Sequence, residues 1–175
     1  MKLHIGSGNK IFDGWENVDI FSHVPCDVYS NALALPYKQE TFDLIYASHV
    51  LEHFNRHVVQ AALCHWASLL KPNGILRISV PNFDAIVKFY RETDDIHSIM
   101  GLLYGGQKFF LDNHCIVFNY NLLKSYLEKA GCYSVRFWDW RTTEHSQYDD
   151  YSQAYLPHMN KENGTIMSLN LEAQK

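Results

Sequence analysis

The chain has 175 residues, of which 47% are hydrophobic and 19% charged. This length fits a single domain, residues 1–175, and the composition excludes a mostly disordered chain. Fifteen basic and nineteen acidic residues give a net charge of −4, which disfavours nucleic acid as a partner. No apolar run is long enough to span a membrane, and Gly6 and Gly8 come too early for a signal peptide.

Two residue types are frequent: the ten His and eleven Tyr are typical of either a metal site or a polar pocket. The four cysteines are widely spaced and contain no Cys-x-x-Cys pair. A free cysteine in an apolar stretch behaves as a small hydrophobic residue. We therefore expect reduced thiols in a cytoplasmic protein. The cysteines are Cys26, Cys64, Cys115 and Cys132.

The first half of the chain predicts four strands and then a helix. The apolar runs that predict strands are residues 2–5, 16–20, 24–29 and 42–47. Residues 55–70 have apolar side chains at helical spacing, and the Lys-Pro-Asn-Gly run that follows ends this helix. The side chains on its apolar face are Val59, Leu63, Trp66 and Leu70.

The second half predicts three more strands, at residues 75–80, 135–140 and 165–171. Asn82 and Asn121 are predicted to cap two helices, and Gly131 to end the second. Residues 94–115 look irregular, and residues 142–164 are predicted to form a long polar loop. The apolar faces of the two helices comprise Phe83, Ile86, Val87 and Tyr90, and Leu123, Tyr126, Leu127 and Ala130.

This alternation of strands and helices predicts an α/β sheet with helices on both faces. Ligands of such sheets bind beyond the carboxyl ends of the strands. Residues that directly follow a strand are therefore the first candidates for a functional site.

Two strand ends indicate a nucleoside-containing cofactor. Gly6-Ser7-Gly8 follows the first strand, where glycines permit a tight turn and a close approach to a ligand. Asp19 ends the second strand and can accept hydrogen bonds from both ribose hydroxyls. The apolar loop at residues 31–37 suits the flat adenine ring. An ordinary turn, a strand-end cap and a simple hydrophobic loop are the respective alternatives.

The strongest strand leads into Ser48-His49-Val50-Leu51-Glu52-His53, which leaves three interpretations open. The first is a cofactor-binding strand end. The second is an inverted zinc-protease pattern in which His49 and His53 bind zinc from one helix, Glu52 is the base and Glu128 is a third ligand. The third is a set of helix-start residues without function.

Several blocks occur in a fixed order along the whole chain. Together they resemble small class I S-adenosylmethionine-dependent methyltransferases of the type 11-like branch. The blocks are L-H-I-G-S-G (3–8), G-W-E-N-V-D-I (14–20), N-A-L-A-L-P-Y (31–37), F-D-L-I-Y-A-S-H-V-L-E-H (42–53), L-L-K-P-N-G-I-L-R-I-S-V-P (69–81) and S-L-N-L-E-A (168–173).

The resemblance implies a Rossmann-like, seven-stranded, mostly parallel sheet with an antiparallel last strand. It implies S-adenosylmethionine as the cofactor and S-adenosylhomocysteine as the product. Two departures stand out: Asn31 replaces a common Asp, and the helix after the glycines is cut to a few residues. The implied cofactor-binding residues are Gly6, Ser7 and Gly8 at the methionine and ribose, Asp19 and Ile20 at the ribose, Asn31 and Ala32 at the adenine, and Ser48 and His49 near the sulfonium.

The acceptor is expected in an insert at about residues 94–119, where Tyr104, Gln107 and His114 suit a small-molecule or sugar-containing acceptor. One of His49, His53 and His114 is expected to be the general base, because the pKa of His lies near neutrality. The alternatives are that these His residues only orient loops and that the insert is a small aromatic core.

Methyl transfer without a metal ion is the leading hypothesis. A non-catalytic S-adenosylmethionine-binding homologue is the second, and a zinc hydrolase that uses His49, Glu52 and His53 is the third. A nicotinamide oxidoreductase is disfavoured because the Gly-x-Gly turn lacks a third glycine.

Overall fold

A seven-stranded sheet forms the centre of the protein, for which a computed structural model describes residues 1–175. The strand order is β3-β2-β1-β4-β5-β9-β6, and only β9 runs antiparallel to its neighbours β5 and β6. This arrangement confirms the predicted fold class. The strands of the sheet are β1 (Lys2–Ile5), β2 (Glu16–Asp19), β3 (Val28–Tyr29), β4 (Phe42–Ser48), β5 (Leu70–Pro81), β6 (Tyr133–Phe137) and β9 (Ser168–Gln174), and a separate hairpin contains β7 (Tyr155–Leu156) and β8 (Thr165–Ile166).

Four helices accompany the sheet, and two of them build the main core. Trp66 and Leu63 of one helix and Leu127 of another are fully buried in the same cluster as the apolar side chains of β1, β4 and β5. A smaller cluster joins Ile86 and Ile99 to Met167. None of the helices combines the length and hydrophobicity needed to cross a membrane. The helices are α1 (Val59–Leu69), α2 (Phe83–Thr93), α3 (Ile96–Tyr104) and α4 (Tyr120–Lys129).

An aromatic cluster covers the opposite face of β1 and β4. Phe12 is fully buried and stacks on His4, with ring centroids 4.0 Å apart, and on Tyr148 at 4.4 Å. Tyr46 lies 4.3 Å from the ring of His145. Residues 6–15 contain no helix, where a helix of a few residues is expected, and Phe12 from this segment covers the sheet with the cluster.

Several predicted helix boundaries are wrong, each for a local reason. The predicted helix 55–70 starts at Val59, because the side chain of Asn55 accepts a hydrogen bond from the His57 amide and holds a turn. Asn119 rather than Asn121 caps α4, through a hydrogen bond from the Leu122 amide. The stretch predicted to be irregular contains α3.

Other differences concern the strands and the exposed side of α2. The strand predicted at 24–29 is reduced to Val28–Tyr29, and the one at 135–140 is shifted to Tyr133–Phe137. The last strand runs from Ser168 to Gln174, because Thr165 and Ile166 pair in the small hairpin instead. On the predicted apolar face of α2 only Ile86 is buried, whereas Phe83, Val87 and Tyr90 are more than one-third exposed.

The buried histidines make the stability of the fold sensitive to acid. Burial lowers the pKa of His4 and of His145 to about 4, with Arg77 adding to the effect at His145. In the unfolded chain both groups titrate near pH 6.5. Between pH 6.5 and 4 the unfolded chain therefore binds more protons than the folded chain, and the free energy of unfolding falls as the pH falls through this window.

We expect the free energy of unfolding to decrease between pH 7.5 and 5.0 by about 1–2 kcal/mol for each of these two histidines. The substitution His4→Phe keeps a ring in the stack and removes one titrating group, so its decrease should be smaller by about 1–2 kcal/mol. Denaturant unfolding of both proteins at several pH values measures this. An identical pH dependence in His4→Phe would contradict the assignment.

Candidate functional site

Three cavities open at the carboxyl ends of β1, β2 and β4, and His49 lines all of them. We call them the Asp19 cavity, the glycine-turn cavity and the His114 cavity. Their volumes are about 320, 430 and 350 Å³, respectively. The Asp19 cavity contains Asp19, Ile20, Asn31 and Ala32; the glycine-turn cavity contains Gly6, Ser7, Gly8, Ser48 and Asp149; and the His114 cavity contains His53, Lys108, Asp112, His114, Tyr151 and Tyr155.

The glycine turn needs its glycines. Gly6 has a φ of +69°, and a Cβ atom on it would lie 2.3 Å from Cγ2 of Val50. The amides of Gly6 and Ser7 both donate to the Val18 carbonyl, at 2.8 and 3.1 Å. The turn is thus folded tightly against the end of β2 and presents its backbone to the cavities.

Asp19 both holds this turn and faces the cavity named after it. Its Oδ2 accepts a hydrogen bond from the Gly8 amide at 2.8 Å, and its Oδ1 accepts one from the Phe21 amide at 2.9 Å. Each carboxylate oxygen has a further lone pair for a ligand. Ile20 beside it is partly exposed and lines the same cavity.

The loop at 31–37 is anchored at Asn31 and Ala32. The Asn31 side-chain oxygen accepts from the Leu33 amide at 2.9 Å, which holds the turn of the loop. The Ala32 carbonyl accepts from Nε1 of the buried Trp66 at 2.7 Å. Both residues line the Asp19 cavity, as the sequence predicts for an adenine-binding loop.

His49 is held from both sides. Its φ is +53°, a left-handed conformation that is uncommon outside glycine. Nε2 lies 3.0 Å from Oγ of Ser168, whose hydroxyl donates to the Tyr151 carbonyl, so the hydrogen of this contact lies on His49. Nδ1 lies 3.1 Å from Oε1 of Glu52. Sequence reasoning did not include Ser168 among the site residues, although Ser168 is the first residue of the last block (168–173) that resembles the methyltransferases.

Glu52 is fully buried, and no hydrogen-bond donor is aligned with either of its carboxylate oxygens. Burial raises the pKa of its carboxyl, but His49, His53 and His114 outweigh this and hold the pKa below its usual value. Burial also lowers the pKa of His114, an effect that Glu52 opposes. A carboxylate without a donor, ringed by imidazoles, is the most unusual electrostatic feature of the site.

The helical zinc pattern, one of the three interpretations of this segment, does not match the structure. Leu51–His53 forms a single 3-10 turn, so His49 and His53 do not lie one turn apart on a helix. Glu128, the predicted third ligand, lies on α4 and pairs with Lys124. The fold instead brings Nε2 of His114 to 3.9 Å from Oε1 of Glu52.

Only part of the predicted acceptor segment reaches a cavity. His114 lines the His114 cavity, but Tyr104 and Gln107 do not, and Lys108 and Asp112 line it instead. Tyr104 is half exposed at the end of α3, where its carbonyl accepts from the His114 amide. Gln107 is exposed in a left-handed conformation next to Gly106. Tyr151 and Tyr155 complete the wall from the long loop and β7.

A family model described as a methyltransferase domain matches residues 9–136. The chain belongs to this methyltransferase family. No curated protein matches the sequence. The sheet order agrees with this family assignment.

Solved structures with the same fold are distant in sequence. A SAM-dependent methyltransferase from Archaeoglobus fulgidus is 19% identical, with a TM-score of 0.59 over 99% of this chain and 85% of that chain. A SAM-dependent methyltransferase from Thermotoga maritima is 14% identical, with a TM-score of 0.59 over 99% and 81% of the two chains. The 1,6-didemethyltoxoflavin-N1-methyltransferase of Burkholderia thailandensis, solved with its substrate and S-adenosylhomocysteine, is 15% identical, with a TM-score of 0.61 over 99% and 70%. At these identities the likeness shows the fold.

Gly6 and Gly8 form a matched pair for testing the turn. Gly6→Ala combines an unfavourable φ with the clash against Val50, and we expect it to lower the free energy of unfolding by about 2–4 kcal/mol. A Cβ on Gly8 meets nothing within 4 Å, so Gly8→Ala should lower it by about 1–2 kcal/mol, from the backbone alone. Denaturant unfolding compares the two variants, and equal losses would show that close packing against Val50 is unimportant.

Proposed function

We propose that the chain transfers a methyl group from S-adenosylmethionine to a small-molecule or sugar-containing acceptor. The observation that carries this proposal is the meeting of the three cavities at His49. Adenosine would occupy the Asp19 cavity, the methionine part the glycine-turn cavity and the acceptor the His114 cavity. The sulfonium would then lie beside His49, where the three cavities converge.

The residues of the first two cavities fit this cofactor. Asp19 offers carboxylate lone pairs to the ribose hydroxyls, and Gly6 lines the same cavity. In the glycine-turn cavity the buried hydroxyl oxygens of Ser7 and Ser48 have no hydrogen-bond partner in the protein. Lys10 and Asp149 place opposite charges there, which suits the zwitterionic amino-acid end of the cofactor.

The His114 cavity fits a polar acceptor. Lys108, Asp112 and His114 provide donors and acceptors of both charge signs, and Tyr151 and Tyr155 provide aromatic surface. This combination is typical of sites that bind small polar molecules by a few placed hydrogen bonds. His53 and Asp112 line this cavity and the Asp19 cavity alike, so an acceptor here would be adjacent to the cofactor.

The bound cofactor supplies an electrophilic methyl group, so the chain has to align the acceptor and remove its proton. His53 and His114 suit the second task. Nδ1 of His53 donates to the Asn113 carbonyl at 3.1 Å, and Nδ1 of His114 donates to the Leu102 carbonyl at 2.9 Å. Each neutral ring therefore keeps a lone pair on Nε2 for a proton. Both ring nitrogens of His49 are engaged, which favours a positioning role for that residue.

Calorimetry with S-adenosylmethionine and S-adenosylhomocysteine tests the cofactor, followed by an assay for S-adenosylhomocysteine release with a panel of hydroxyl- and amine-bearing acceptors. We expect binding and release with at least one acceptor. Failure to bind either molecule would refute the proposal. Binding without release on any acceptor would support a non-catalytic cofactor-binding protein instead.

Asp19→Ala should weaken binding of S-adenosylhomocysteine about 10- to 100-fold, because hydrogen bonds to a charged acceptor are lost. Asp19→Ala also removes the hydrogen bond to the Gly8 amide and so loosens the glycine turn. A second ligand, which lacks the ribose hydroxyls, separates the two effects. The wild-type chain should prefer adenosine to 2′,3′-dideoxyadenosine, and Asp19→Ala should lose this preference. Asp13→Asn changes an exposed carboxylate outside the cavities and is the control. A preserved preference in Asp19→Ala would contradict the ribose role.

The proton-acceptor role predicts that His53→Ala or His114→Ala lowers kcat about 10²- to 10⁴-fold. Affinity for S-adenosylhomocysteine should stay within a few-fold of wild type in the affected variant, and His57→Ala, at an exposed histidine, should behave as wild type. Steady-state kinetics with calorimetry on the same preparations provide both numbers. Unchanged kcat in both variants would exclude these residues as the base.

A further inference from the structure

We propose that Glu52, His53 and His114 form a binding site for one divalent transition-metal ion of the Zn²⁺ class. One carboxylate oxygen of Glu52 and one ring nitrogen of each histidine lie within 4.8 Å of one another. The inference goes beyond methyl transfer, since the ion would bind whether or not the cofactor is present.

The Glu52 carboxylate lies in an unusual environment. It is fully buried, and neither oxygen has an aligned donor. A buried carboxylate without an aligned donor is costly in a protein interior, and such groups are normally hydrogen-bonded, paired or coordinated to a metal. Nδ1 of His49 lies 3.1 Å from Oε1, and the next imidazoles, those of His53 and His114, would be ligands of the same ion.

The two histidines are oriented in the way that metal-binding histidines are. Nδ1 of His53 donates to the Asn113 carbonyl and Nδ1 of His114 donates to the Leu102 carbonyl, at 3.1 and 2.9 Å. Histidines that bind metals almost always donate their other ring nitrogen in this way, which fixes the tautomer and the ring orientation. Nε2 is then the lone-pair atom of each ring, and that of His114 lies 3.9 Å from Oε1 of Glu52.

One carboxylate oxygen and two imidazole nitrogens thus converge without a hydrogen between them. A bound cation would accept an electron pair from each of these three atoms. Two imidazoles and a carboxylate are a known ligand set for zinc with a fourth position open. Atoms bound to zinc at about 2.0–2.2 Å lie roughly 3.3 Å apart, so Glu52 and His114 would approach by about half an ångström. His53 and His114 line the His114 cavity, so the open position would face the acceptor.

The ion would change how the acceptor is activated. Metal coordination occupies the Nε2 lone pairs that otherwise accept a proton. A hydroxyl acceptor bound at the open position would instead lose its proton to solvent because the metal lowers its pKa. Metal-free and metal-loaded chains would therefore use the same residues differently.

Calorimetry of the chelator-treated chain with ZnCl₂, in the absence of cofactor, tests the site directly. We expect one ion per chain, and at least about 100-fold weaker binding in Glu52→Gln and in His114→Ala. His57→Ala and His97→Ala remove other histidines and should bind as wild type does. Absence of stoichiometric zinc binding by the wild-type chain would overturn the proposal. So would a zinc affinity equal to that of the wild-type chain in Glu52→Gln and His114→Ala.

X-ray absorption at the zinc edge on the wild-type chain keeps the test decisive if a variant does not fold. It should show two imidazole nitrogens and at least one carboxylate oxygen around the ion. A shell without imidazole would refute the site even if zinc binds. Because neither measurement uses S-adenosylmethionine, their failure would not be confused with failure of the proposed methyl transfer.

Discussion

The segment that joins β1 to β2 contains no helix, and the side-chain amide of Asn17 holds it in position. Its oxygen accepts from the Phe12 amide at 2.9 Å, and its nitrogen donates to the carbonyls of Phe12 and Trp15, both at 3.1 Å. Asp27 from the next loop accepts from the backbone and side chain of Asn17 at 2.8 and 2.9 Å. These hydrogen bonds place Phe12 in the aromatic cluster and leave Gly6 and Gly8 at the mouth of the cavities.

The glycine turn therefore relies on side chains where a helix would supply its own backbone hydrogen bonds. The Gly8 amide is satisfied by Asp19, and Phe12 by Asn17. The hydroxyl oxygen of Tyr148, 135 residues further along the chain, accepts a hydrogen bond from the Asp13 amide at 2.9 Å. The glycine turn and the distant loop after β6 are in this way parts of one packing unit, whose buried histidines respond to pH.

The cofactor side of the site follows closely from local sequence. A glycine pair after one strand and an acidic residue at the end of the next are short-range signals, and Gly6, Asp19, Asn31 and Ala32 all line the predicted edge of the sheet. Their positions depend on strand order and on backbone conformations that few residues adopt. Both can be recognised within a few residues of sequence, which is why the placement of these residues at one edge of the sheet could be predicted.

The acceptor side depends on contacts that no local pattern specifies. Tyr104 and Gln107 have the right chemistry for a polar acceptor, yet Tyr104 ends a helix and Gln107 turns outward, so neither lines the His114 cavity. Conversely, Ser168 holds His49 from 119 residues away through the antiparallel last strand. Such pairs exist only once the sheet has formed, since they join elements that are distant along the chain.

The segment from His49 to His53 shows how one pattern can correspond to two chemistries. On a helix, His49 and His53 would share a face and leave Glu52 free as a base. Because His49 has a left-handed backbone and Leu51–His53 is a 3-10 turn, Glu52 points into the interior instead. This one carboxylate then lies among imidazoles: Nδ1 of His49 is 3.1 Å away, and the hydrogen bond from the Cys115 amide to the Glu52 carbonyl, at 2.8 Å, brings His114 to it.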